Sequence, residues 1–376
     1  MLTPTGFVEP AYSRRTLSDV LPAVAAALGR PIDPEASGAL VLPTAPSYVV
    51  FLVDGLGARL IERYRHAAPF LSALVDQHEA GTAGVPSTTA TSLTSLGTGL
   101  TPGTHGLLGF TNRIPGTDRL LNALFWDSSI DPLEWQPHPT AFGRMQDAGV
   151  AVTVVNKREF RTSGLTMASS RGGEYVGADR VGERIAAAVT ASRRSPSCTY
   201  LYDSDLDWTG HRYGVASPQW LQQLAMVDAE AEQLREALPS QTRLVLIADH
   251  GMVDSPPEHR VDVDEHLELR EGLVLLGGEA RFRHLYCRRG AVEDVCATWA
   301  GFLGETADVV PREVAIERGW FGSVIPAVLP RLGDVLVAMR DDHTVFSSVD
   351  FGYELSLVGL HGSLTPDEMM IPILVA

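Results

Sequence analysis

The stretch Tyr48–Gly55, YVVFLVDG, is a short, continuous apolar run that ends in an aspartate, Asp54. A strand that is apolar on both faces is typical of a parallel sheet covered on both sides. The run Leu244–Asp249, LVLIAD, repeats this pattern, and candidate strands and helices alternate between the two runs. We therefore predict an α/β fold, with a mainly parallel central sheet, helices on both faces and a smaller inserted α+β subdomain.

Along the chain, hydrophobic spacing and Gly/Pro positions predict the individual elements. We expect helices over Ala58–His78, Ala141–Ala148, Arg184–Ser192 and Gln219–Leu238, strands over Ala151–Val155, Thr199–Tyr202 and Ile371–Val375, and a loop over Asn156–Arg180. Beyond Pro256 the sequence pattern changes and predicts short strands around Leu273, Phe282–Tyr286 and Asp334–Ala338, with a helix over Val292–Phe302.

These patterns divide the chain into three regions. Residues 1–46 form an N-terminal extension that packs on the core, with a short helix capped by Ser18 or Asp19 and followed by a Pro/Gly-rich loop. We expect residues 47–255 and 346–376 to form the core, and residues 256–345 to form the inserted α+β subdomain.

Composition limits the partners. The net charge of −16 argues against a nucleic-acid polymer, which would require a basic face. Three cysteines without a C-x-x-C pair indicate reduced thiols. The N-terminus lacks the pattern of a signal peptide, and no stretch approaches membrane length, so we expect a cytoplasmic protein without a membrane contact.

A second stretch, Gly84–Gly106, GVPSTTATSLTSLGTGLTPGTHG, carries four clustered hydroxyls at Ser87, Thr88, Thr89 and Thr91. A hydroxyl at the start of a helix lies where free N–H groups and the helix dipole favour an anion, which suits a nucleophile that attacks a phosphate. The alternative is structural, because Ser and Thr are also the preferred residues that cap a helix.

Carboxylates and imidazoles follow the predicted strands, at the edge where open α/β sheets bind ligands. They are Asp54, Asp207, His211, Asp249, His250 and His361. Mixed Asp and His donors suit zinc or another borderline divalent metal such as Mn²⁺, and with Thr89 they suffice for two ions. We expect Asp207 and His211 to reach one ion across a tight loop. Each residue alone also has a structural explanation, as a helix cap or a core histidine.

The ordered set of motifs resembles the alkaline phosphatase superfamily, most closely its nucleotide pyrophosphatase/phosphodiesterase branch. The matching segments are LVDG at 52–55, PSTTATSLTSLGTG at 86–99, LTPGTHG at 100–106, DWTGHRYG at 207–214, ADHGM at 248–252 and HGSLTPDEMMIP at 361–372. The resemblance implies a hydrolase of phosphodiester or nucleotide pyrophosphate bonds that acts on a small phosphate-containing substrate. It also implies two Zn²⁺ ions and a phospho-threonine intermediate.

Residue by residue, the resemblance implies Thr89 as the nucleophile, with Thr88 as the alternative if the register shifts by one. It assigns the metal ligands in two groups: Asp207, His211 and His361 for one ion, and Asp54, Asp249, His250 and Thr89 for the other. His105 falls in a motif but is expected to be structural.

The sequence departs from the family's motifs in two places that affect the prediction of the substrate. The branch places an Asn that holds a phosphate oxygen at the position of Phe110, and Asn112 is the nearest replacement. The sulfatase motif C-x-P-x-R is missing, which argues against that branch. Lys157 and Arg158 either bind a second substrate anion or form a solvated basic loop.

Two alternatives remain open at this stage. One is a phosphomonoesterase or phosphonoacetate-type hydrolase on the same core, with Arg281, Arg283 and His284 facing the substrate. The other is a non-catalytic metal-binding protein. The sequence does not predict the oligomeric state.

Overall fold

The computed structural model describes residues 6–33 and 40–376. Its strands are β1 Ser47–Val53, β2 Gly81–Thr82, β3 Thr111–Arg113, β4 Leu120–Asn122, β5 Ala151–Asn156, β6 Glu174–Gly177, β7 Ser197–Asp203, β8 Thr242–Ile247, β9 Val253–Asp254, β10 Arg260–Asp262, β11 Leu273–Glu279, β12 Phe282–Cys287, β13 Ala307–Pro311, β14 Val335–Met339, β15 Thr344–Phe346, β16 Gly359–Leu360, β17 Met370–Ile371 and β18 Ile373–Val375.

Its α-helices are α1 Leu17–Ala27, α2 Ala58–Arg63, α3 Pro69–Val75, α4 Thr89–Thr98, α5 Pro102–His105, α6 Pro132–Trp135, α7 Ala141–Asp147, α8 Gly164–Ser169, α9 Val181–Ala191, α10 Asp205–Tyr213, α11 Pro218–Ala237, α12 Val292–Leu303, α13 Arg312–Glu317 and α14 Pro366–Met369. Short 3₁₀ turns lie at Arg158–Thr162, Pro257–His259, Leu267–Leu269, Gly304–Thr306, Leu329–Arg331 and Gly352–Ser356.

The main sheet has six strands in the order β18-β8-β1-β7-β5-β6. Every neighbouring pair is parallel except β18 and β8, which form an antiparallel edge. All seven residues of β1 are buried, as are all seven of β7, so helices and loops cover both faces of the sheet. The predicted fold class is confirmed.

A second sheet lies within residues 273–339 and is antiparallel, in the order β11-β12-β14-β13. Helix α12 packs against it, and Trp299 lies in a separate apolar core beside Leu285 and Val337. Phe282 belongs instead to the main core, where its ring contacts Trp320 and Phe321. The chain boundaries of the three predicted regions stay a prediction.

At the N-terminal end, helix α1 packs against α4, so the segment rests on the core. Its cap is Thr16, which forms a capping box with Asp19; the predicted cap at Ser18 or Asp19 was therefore placed too late. The first five residues of the extension, and residues 34–39 of the predicted Pro/Gly-rich loop, lie outside the described residues.

Two predicted elements between Ala58 and Arg180 were wrong. The single helix over Ala58–His78 is two helices, α2 and α3, because Pro69 lacks an N–H and begins a new helix. The segment predicted as a loop over Asn156–Arg180 contains a 3₁₀ turn, helix α8 and strand β6, which pairs with β5.

The three cysteines, Cys198, Cys287 and Cys296, are free thiols. Within residues 6–33 and 40–376, no helix combines the length and the apolar character needed to cross a membrane.

Candidate active site

Three neighbouring strands of the main sheet deliver the predicted site residues to one edge. Asp54 follows β1 directly, Asp207 and His211 lie on α10 just after β7, and Asp249 follows β8. Since β1 pairs in parallel with both β7 and β8, their carboxyl ends meet at the same edge.

Thr89 is the first residue of helix α4, and Thr88 is its extended N-cap. The Thr89 hydroxyl oxygen lies 3.3 Å from His250 Nε2 and 3.4 Å from Asp54 Oδ2. Helix α4 is built from small residues, which allow α8 to approach closely: a Cβ on Gly97 would lie 1.8 Å from the Ser169 carbonyl oxygen. Helix α4 therefore holds the Thr89 hydroxyl next to the residues that follow the strand ends.

Asp54, Asp249 and His250 surround this hydroxyl. The His250 Nε2 atom lies 3.5 Å from Asp54 Oδ1 and 3.4 Å from Asp249 Oδ2. The Gly55 and His250 backbone N–H groups both donate to Asp249 Oδ1 at 3.0 Å, which fixes that carboxylate. Tyr202 donates its hydroxyl hydrogen to Asp54 Oδ2.

Asp207, His211 and His361 form the second group. The first two lie four residues apart on one face of α10, where His211 Nε2 is 3.3 Å from Asp207 Oδ2. The tight loop predicted for this motif was therefore wrong, although helical spacing brings the same two donors together. His361 Nε2 lies 3.8 Å from Asp207 Oδ1.

The three histidines share one orientation. Each directs Nδ1 to a backbone carbonyl oxygen: His211 to Gly359 at 2.7 Å, His250 to Gly251 at 2.9 Å and His361 to Ser87 at 3.0 Å. Because a carbonyl oxygen only accepts hydrogen bonds, Nδ1 carries the proton and Nε2 faces the carboxylates. Metal-binding histidines in proteins are held in the same way.

Charge balance in this cluster requires cations. Burial, together with the Asp249 and Asp207 carboxylates, raises the pKa of Asp54 well above its ordinary value. Burial disfavours the His211 imidazolium, but the Asp207 carboxylate outweighs it and raises the pKa of His211. The buried carboxylates of Asp54 and Asp249 are thus ionised together beside Asp207 only when further positive charge lies among them.

Two buried carboxylate oxygens indicate whether metal ions fit the two groups of residues. Asp207 Oδ1 and Asp249 Oδ2 have no hydrogen-bond partner in the described residues, one in each group. Donor atoms of Asp207, His211 and His361 lie within 4.8 Å of one another, as do those of Asp54, Asp207 and His250. The residues present therefore fit divalent cations with nitrogen and oxygen ligands.

A cavity of about 1050 Å³ opens over these two groups. Thr89 lies in its wall together with Phe110, Lys157 and Trp208. Aromatic side chains reach far into solvent around it: Phe125 is 79% exposed and Trp208 is 58% exposed. The site thus combines a polar, carboxylate-rich floor with apolar walls.

Asn112, the predicted replacement for the missing phosphate-binding Asn, does not line this cavity. Its side-chain oxygen accepts from the Leu108 N–H at 2.7 Å, and its amide donates to the Gly109 carbonyl at 2.8 Å. Both ends of the buried amide close a turn, so its assignment as a substrate-binding residue was wrong. Phe110 does line the cavity, and its ring packs on Tyr353 with the ring centres 5.7 Å apart.

The basic residues expected to face the substrate in the alternative hydrolase are buried in the protein. Arg281 pairs with Glu368 and Arg283 with Glu354, and both arginines are fully buried. His284 is also buried and accepts a hydrogen bond from the Gly333 N–H. That expectation was wrong, because charge on a strand does not reveal which carboxylate the fold places opposite it.

Lys157 and Arg158 separate in the structure. Lys157 lines the cavity, and its ammonium binds Ser204 Oγ at 2.9 Å and Asp205 Oδ1 at 2.7 Å. Arg158 is exposed and pairs with Asp179 and with Glu183, which lies on α9. Only Lys157 is placed to meet a substrate.

His105 has the structural role expected for it. It is buried, its Nε2 lies 2.9 Å from Ser95 Oγ, and its Nδ1 accepts from the Leu107 N–H. Burial lowers the pKa of His105 to about 3, so the ring is neutral at physiological pH.

One residue of the cavity was missed by sequence reasoning. Glu279 ends β11 in the second sheet and lies in the cavity wall, buried, with Oε1 unpartnered among the described residues. No motif surrounds it, because the sequence Gly277-Gly278-Glu279 gives no sign of which strand end meets the active site.

Comparison with known proteins identifies the family of the chain. The family described as type I phosphodiesterase / nucleotide pyrophosphatase matches residues 48–363, which is most of the chain. The chain belongs to this family. The description of this family agrees with the predicted enzyme class, a hydrolase that acts on phosphate esters.

Individual relatives are distant. Venom phosphodiesterase 2 of Crotalus adamanteus is 26% identical over 219 residues, which is 54% of this chain and 26% of the relative. The chain thus spans about a quarter of the length of that curated relative.

Solved structures share the fold. Murine ectonucleotide pyrophosphatase / phosphodiesterase 5 superposes with a TM-score of 0.69 at 18% identity, covering 87% of both chains. Phosphonoacetate hydrolase from Sinorhizobium meliloti 1021, bound to phosphonoformate, gives 0.66 at 20% identity, covering 90% of this chain and 92% of its own.

Proposed function

We propose that this protein hydrolyses a phosphodiester or nucleotide pyrophosphate bond through a phospho-threonine intermediate at a two-metal site. The observation that carries the proposal is the position of the Thr89 hydroxyl. It lies at the N-terminus of α4, 3.3 Å from His250 Nε2 and 3.4 Å from Asp54 Oδ2. The neighbouring Thr88 is the extended N-cap of α4, and its side chain interacts with Glu279, which supports Thr89 over Thr88 as the nucleophile.

Two groups of residues would hold the metal ions. Asp207, His211 and His361 form one, and Asp54, Asp249, His250 and Thr89 form the other. The mixture of imidazole and carboxylate suits Zn²⁺, with Mn²⁺ as a second choice. When bound, such ions would lower the pKa of the Thr89 hydroxyl and neutralise charge on the phosphoryl group.

The residues of the chain orient the reaction. Thr89 Oγ1 forms a bond to phosphorus while the bond from phosphorus to the leaving oxygen breaks, and its proton is within reach of Asp54. The free N–H groups at the start of α4 favour the negative phosphoryl group. Water then attacks phosphorus, releases phosphate or its monoester and restores the threonine hydroxyl.

The cavity supports a substrate with a large organic group. Its volume of about 1050 Å³ far exceeds that of a phosphate, and exposed aromatic rings such as Phe125 and Trp208 offer stacking surfaces. One solved murine neighbour of the same fold, an inactive form at 17% identity, is described in complex with AMP.

A phosphonate or monoester hydrolase is the second candidate, and Lys157 is the observation that favours it. Its ammonium lies in the cavity wall, where it could meet a second substrate anion. However, Asp205 lies 2.7 Å from the Lys157 ammonium and already neutralises its charge. The site is therefore less suited to a substrate with more negative charge than to a diester.

The test compares turnover of bis-p-nitrophenyl phosphate, p-nitrophenyl phosphate and phosphonoacetate, with zinc added and after chelation. We expect metal-dependent turnover that favours the diester and falls by about 10³-fold or more in Thr89→Ala, with the fold retained. The matched control is Thr91→Ala, because Thr91 is also a buried hydroxyl of α4 but has no hydrogen-bond partner in the described residues. Its turnover should stay within about twofold.

A preference for the monoester or for phosphonoacetate would favour the second candidate. Equal losses in both threonine variants would show that Thr89 matters only for the helix, and would overturn the proposal.

A further inference from the structure

Away from the active site, two histidines lie side by side where the chain passes between its two sheets. His259 and His343 immediately precede Arg260 and Thr344, the first residues paired in parallel between β10 and β15. Their imidazole rings stack with centres 4.3 Å apart and planes inclined by 28°. Strand β10 precedes the second sheet in the chain and β15 follows it, so one histidine lies where the chain enters that sheet and the other where it returns.

Asp342 adds a carboxylate to the two imidazoles. Its Oδ1 lies 2.6 Å from His259 Nδ1, a contact that fixes the orientation of this ring, as carboxylates do beside metal-binding histidines. One donor atom from each of the three side chains lies within 4.8 Å of the other two. His259 and Asp342 are 37% and 40% exposed, so an ion can reach them from solvent. Two imidazoles and one carboxylate suit a borderline divalent cation such as Zn²⁺.

The turn that carries Asp342 and His343 is fixed from the interior of the protein. Asp341 has a φ of +45°, a left-handed conformation that a residue other than glycine keeps only where its surroundings hold it. The buried Arg281 guanidinium donates to the carbonyl oxygens of Asp341 at 2.8 Å and His343 at 2.6 Å. Two of the three donors are therefore positioned by the fold.

The segment that carries His259 is held in the same place. Arg260 donates to the Ser255 carbonyl oxygen at 2.9 and 2.6 Å, which closes the chain around His259. The buried Ser255 hydroxyl lies 3.1 Å from Thr344 Oγ1, directly after His343. Donors that are already ordered lose little conformational entropy when an ion binds, so this arrangement favours binding.

The charges around the imidazoles also favour a cation. Asp341 and Asp342 are the acidic groups that act on His343, and Arg281 is the guanidinium that acts on it. Arg281 is already paired with the Glu368 carboxylate at 2.7 Å. The two remaining carboxylates give this cluster an excess of negative charge, which attracts a cation.

The cluster is separate from the active site. Asp342 lies in the wall of another cavity, of about 470 Å³, together with Asp254 and Asp367. Among the described residues, this cavity and the active-site cavity have no lining side chain in common. An ion bound at the cluster would therefore not touch a substrate at Thr89.

We propose that His259, Asp342 and His343 bind a divalent cation, for which Zn²⁺ is the probe, in addition to any ions at the active site. The ion is structural: it joins the segment through which the chain enters the second sheet to the segment through which it returns. It thereby holds β10 beside β15. The inference does not rest on the proposed function, because none of the three residues belongs to the site around Thr89.

Equilibrium dialysis of the full chain over a range of free Zn²⁺ concentrations tests the site. His343→Gln removes one donor and keeps a polar side chain of similar size. The matched control is His266→Gln, because His266 is also 38% exposed and 3.9 Å from a carboxylate, that of Glu268, but its ring packs on Phe302 rather than on a second imidazole.

We expect the wild type and His266→Gln to bind one more equivalent of Zn²⁺ than His343→Gln at the same free concentration. The affinity for that equivalent should fall by more than the roughly 10- to 100-fold that loss of an outer-shell partner costs, since a ligand itself is lost. The difference between the proteins is decisive and the total is not, because ions at the active site contribute equally to all three.

Hydrogen exchange locates the ion in solution. Added Zn²⁺ should slow amide exchange over residues 257–262 and 342–346 in the wild type but not in His343→Gln, because the ion joins these segments. Slowing that is the same in both proteins would overturn the proposal. Equal zinc content in the wild type and His343→Gln would also overturn it, and the contact between His259 and Asp342 would then be an ion pair only. Loss of the same equivalent in His266→Gln would mean that surface histidines bind zinc in general, which contradicts a built site.

Discussion

Replacing Arg281 by Met tests whether this residue stabilises the fold or faces the substrate. Its guanidinium donates to both carboxylate oxygens of Glu368, at 2.8 and 2.7 Å, and both side chains are fully buried. It also donates to the His343 and Asp341 carbonyls. Glu368 in turn accepts from the Ser363 N–H, two residues after His361, so the pair links the second sheet to the loop that carries a predicted metal ligand.

The expected loss of unfolding free energy follows from the contacts that Glu368 keeps and loses in Arg281→Met. Glu368 would keep the Ser363 N–H at 2.9 Å and the Thr365 hydroxyl at 2.5 Å, but its charge would lose the only guanidinium that pairs with it in the described residues. Breaking one partner out of a buried ion pair costs about 3–5 kcal/mol, because the remaining charge is uncompensated. Removing both charges in Arg281→Met/Glu368→Gln should cost less than Arg281→Met alone.

The assay is urea unfolding of all variants at pH 7, with Arg289→Met as the exposed control, for which the change should stay within about 0.5 kcal/mol. Turnover is measured in parallel under conditions where each variant is folded, and we expect kcat/KM of Arg281→Met within about threefold of the wild type. A variant that keeps full stability but loses kcat/KM would refute the reasoning, because Arg281 would then bind the substrate.

Three further outcomes follow from individual residues. The contribution of His105 to the unfolding free energy should fall by about 1.4 kcal/mol for each unit that the pH is lowered from 6.5 to about 3, because the unfolded chain protonates a histidine that stays neutral when folded. In pH-dependent urea unfolding, the wild type should therefore be steeper than His105→Gln by this amount. Glu279→Gln should gain stability relative to the wild type as pH rises from 4.5 to about 8, since over that range the folded wild type retains a proton that the unfolded chain releases; a constant difference would contradict it. Gly97→Ala should cost about 1–3 kcal/mol through its overlap with Ser169, whereas Gly182→Ala, with nothing within 4 Å of the added Cβ, should gain up to about 1 kcal/mol, both read from urea midpoints.

The sequence predicted the parts of the site that depend on strand ends. An apolar run that ends in Asp54 or Asp249 specifies a buried strand and a carboxylate at its carboxyl edge, since both follow from local pattern and parallel pairing. The bounds of individual helices and strands were predicted less well where a proline interrupts a hydrophobic pattern. Pro69 divides one predicted helix into two, and Pro372 separates the predicted last strand into β17, which pairs with β2, and β18, which pairs with β8.

Contacts between distant segments were not predictable. Arg283 has the residue type of a phosphate-binding residue, and only the fold reveals Glu354 opposite it. Glu279 lacks any motif, and its place at the site depends on how the second sheet packs against the loops of Gly109 and Gly362. Such arrangements are set by tertiary packing, which a single sequence does not encode in local pattern.

Some expectations remain predictions. The cytoplasmic location, the metal identity and the boundaries at residues 46, 255 and 345 are untested by the fold. The small phosphate-containing substrate agrees with the family, whereas the leaving group awaits the turnover comparison.

The stereochemical course at phosphorus tests the central claim most directly. A chiral phosphorothioate diester is hydrolysed by the zinc-loaded enzyme in ¹⁸O-labelled water, so that the oxygen from water makes the phosphorothioate monoester chiral at phosphorus, and the configuration of this product is determined. Attack by Thr89 followed by attack by water gives two in-line displacements, so the account predicts net retention of configuration. Net inversion would mean that water attacks the substrate directly, and would contradict a phospho-threonine intermediate.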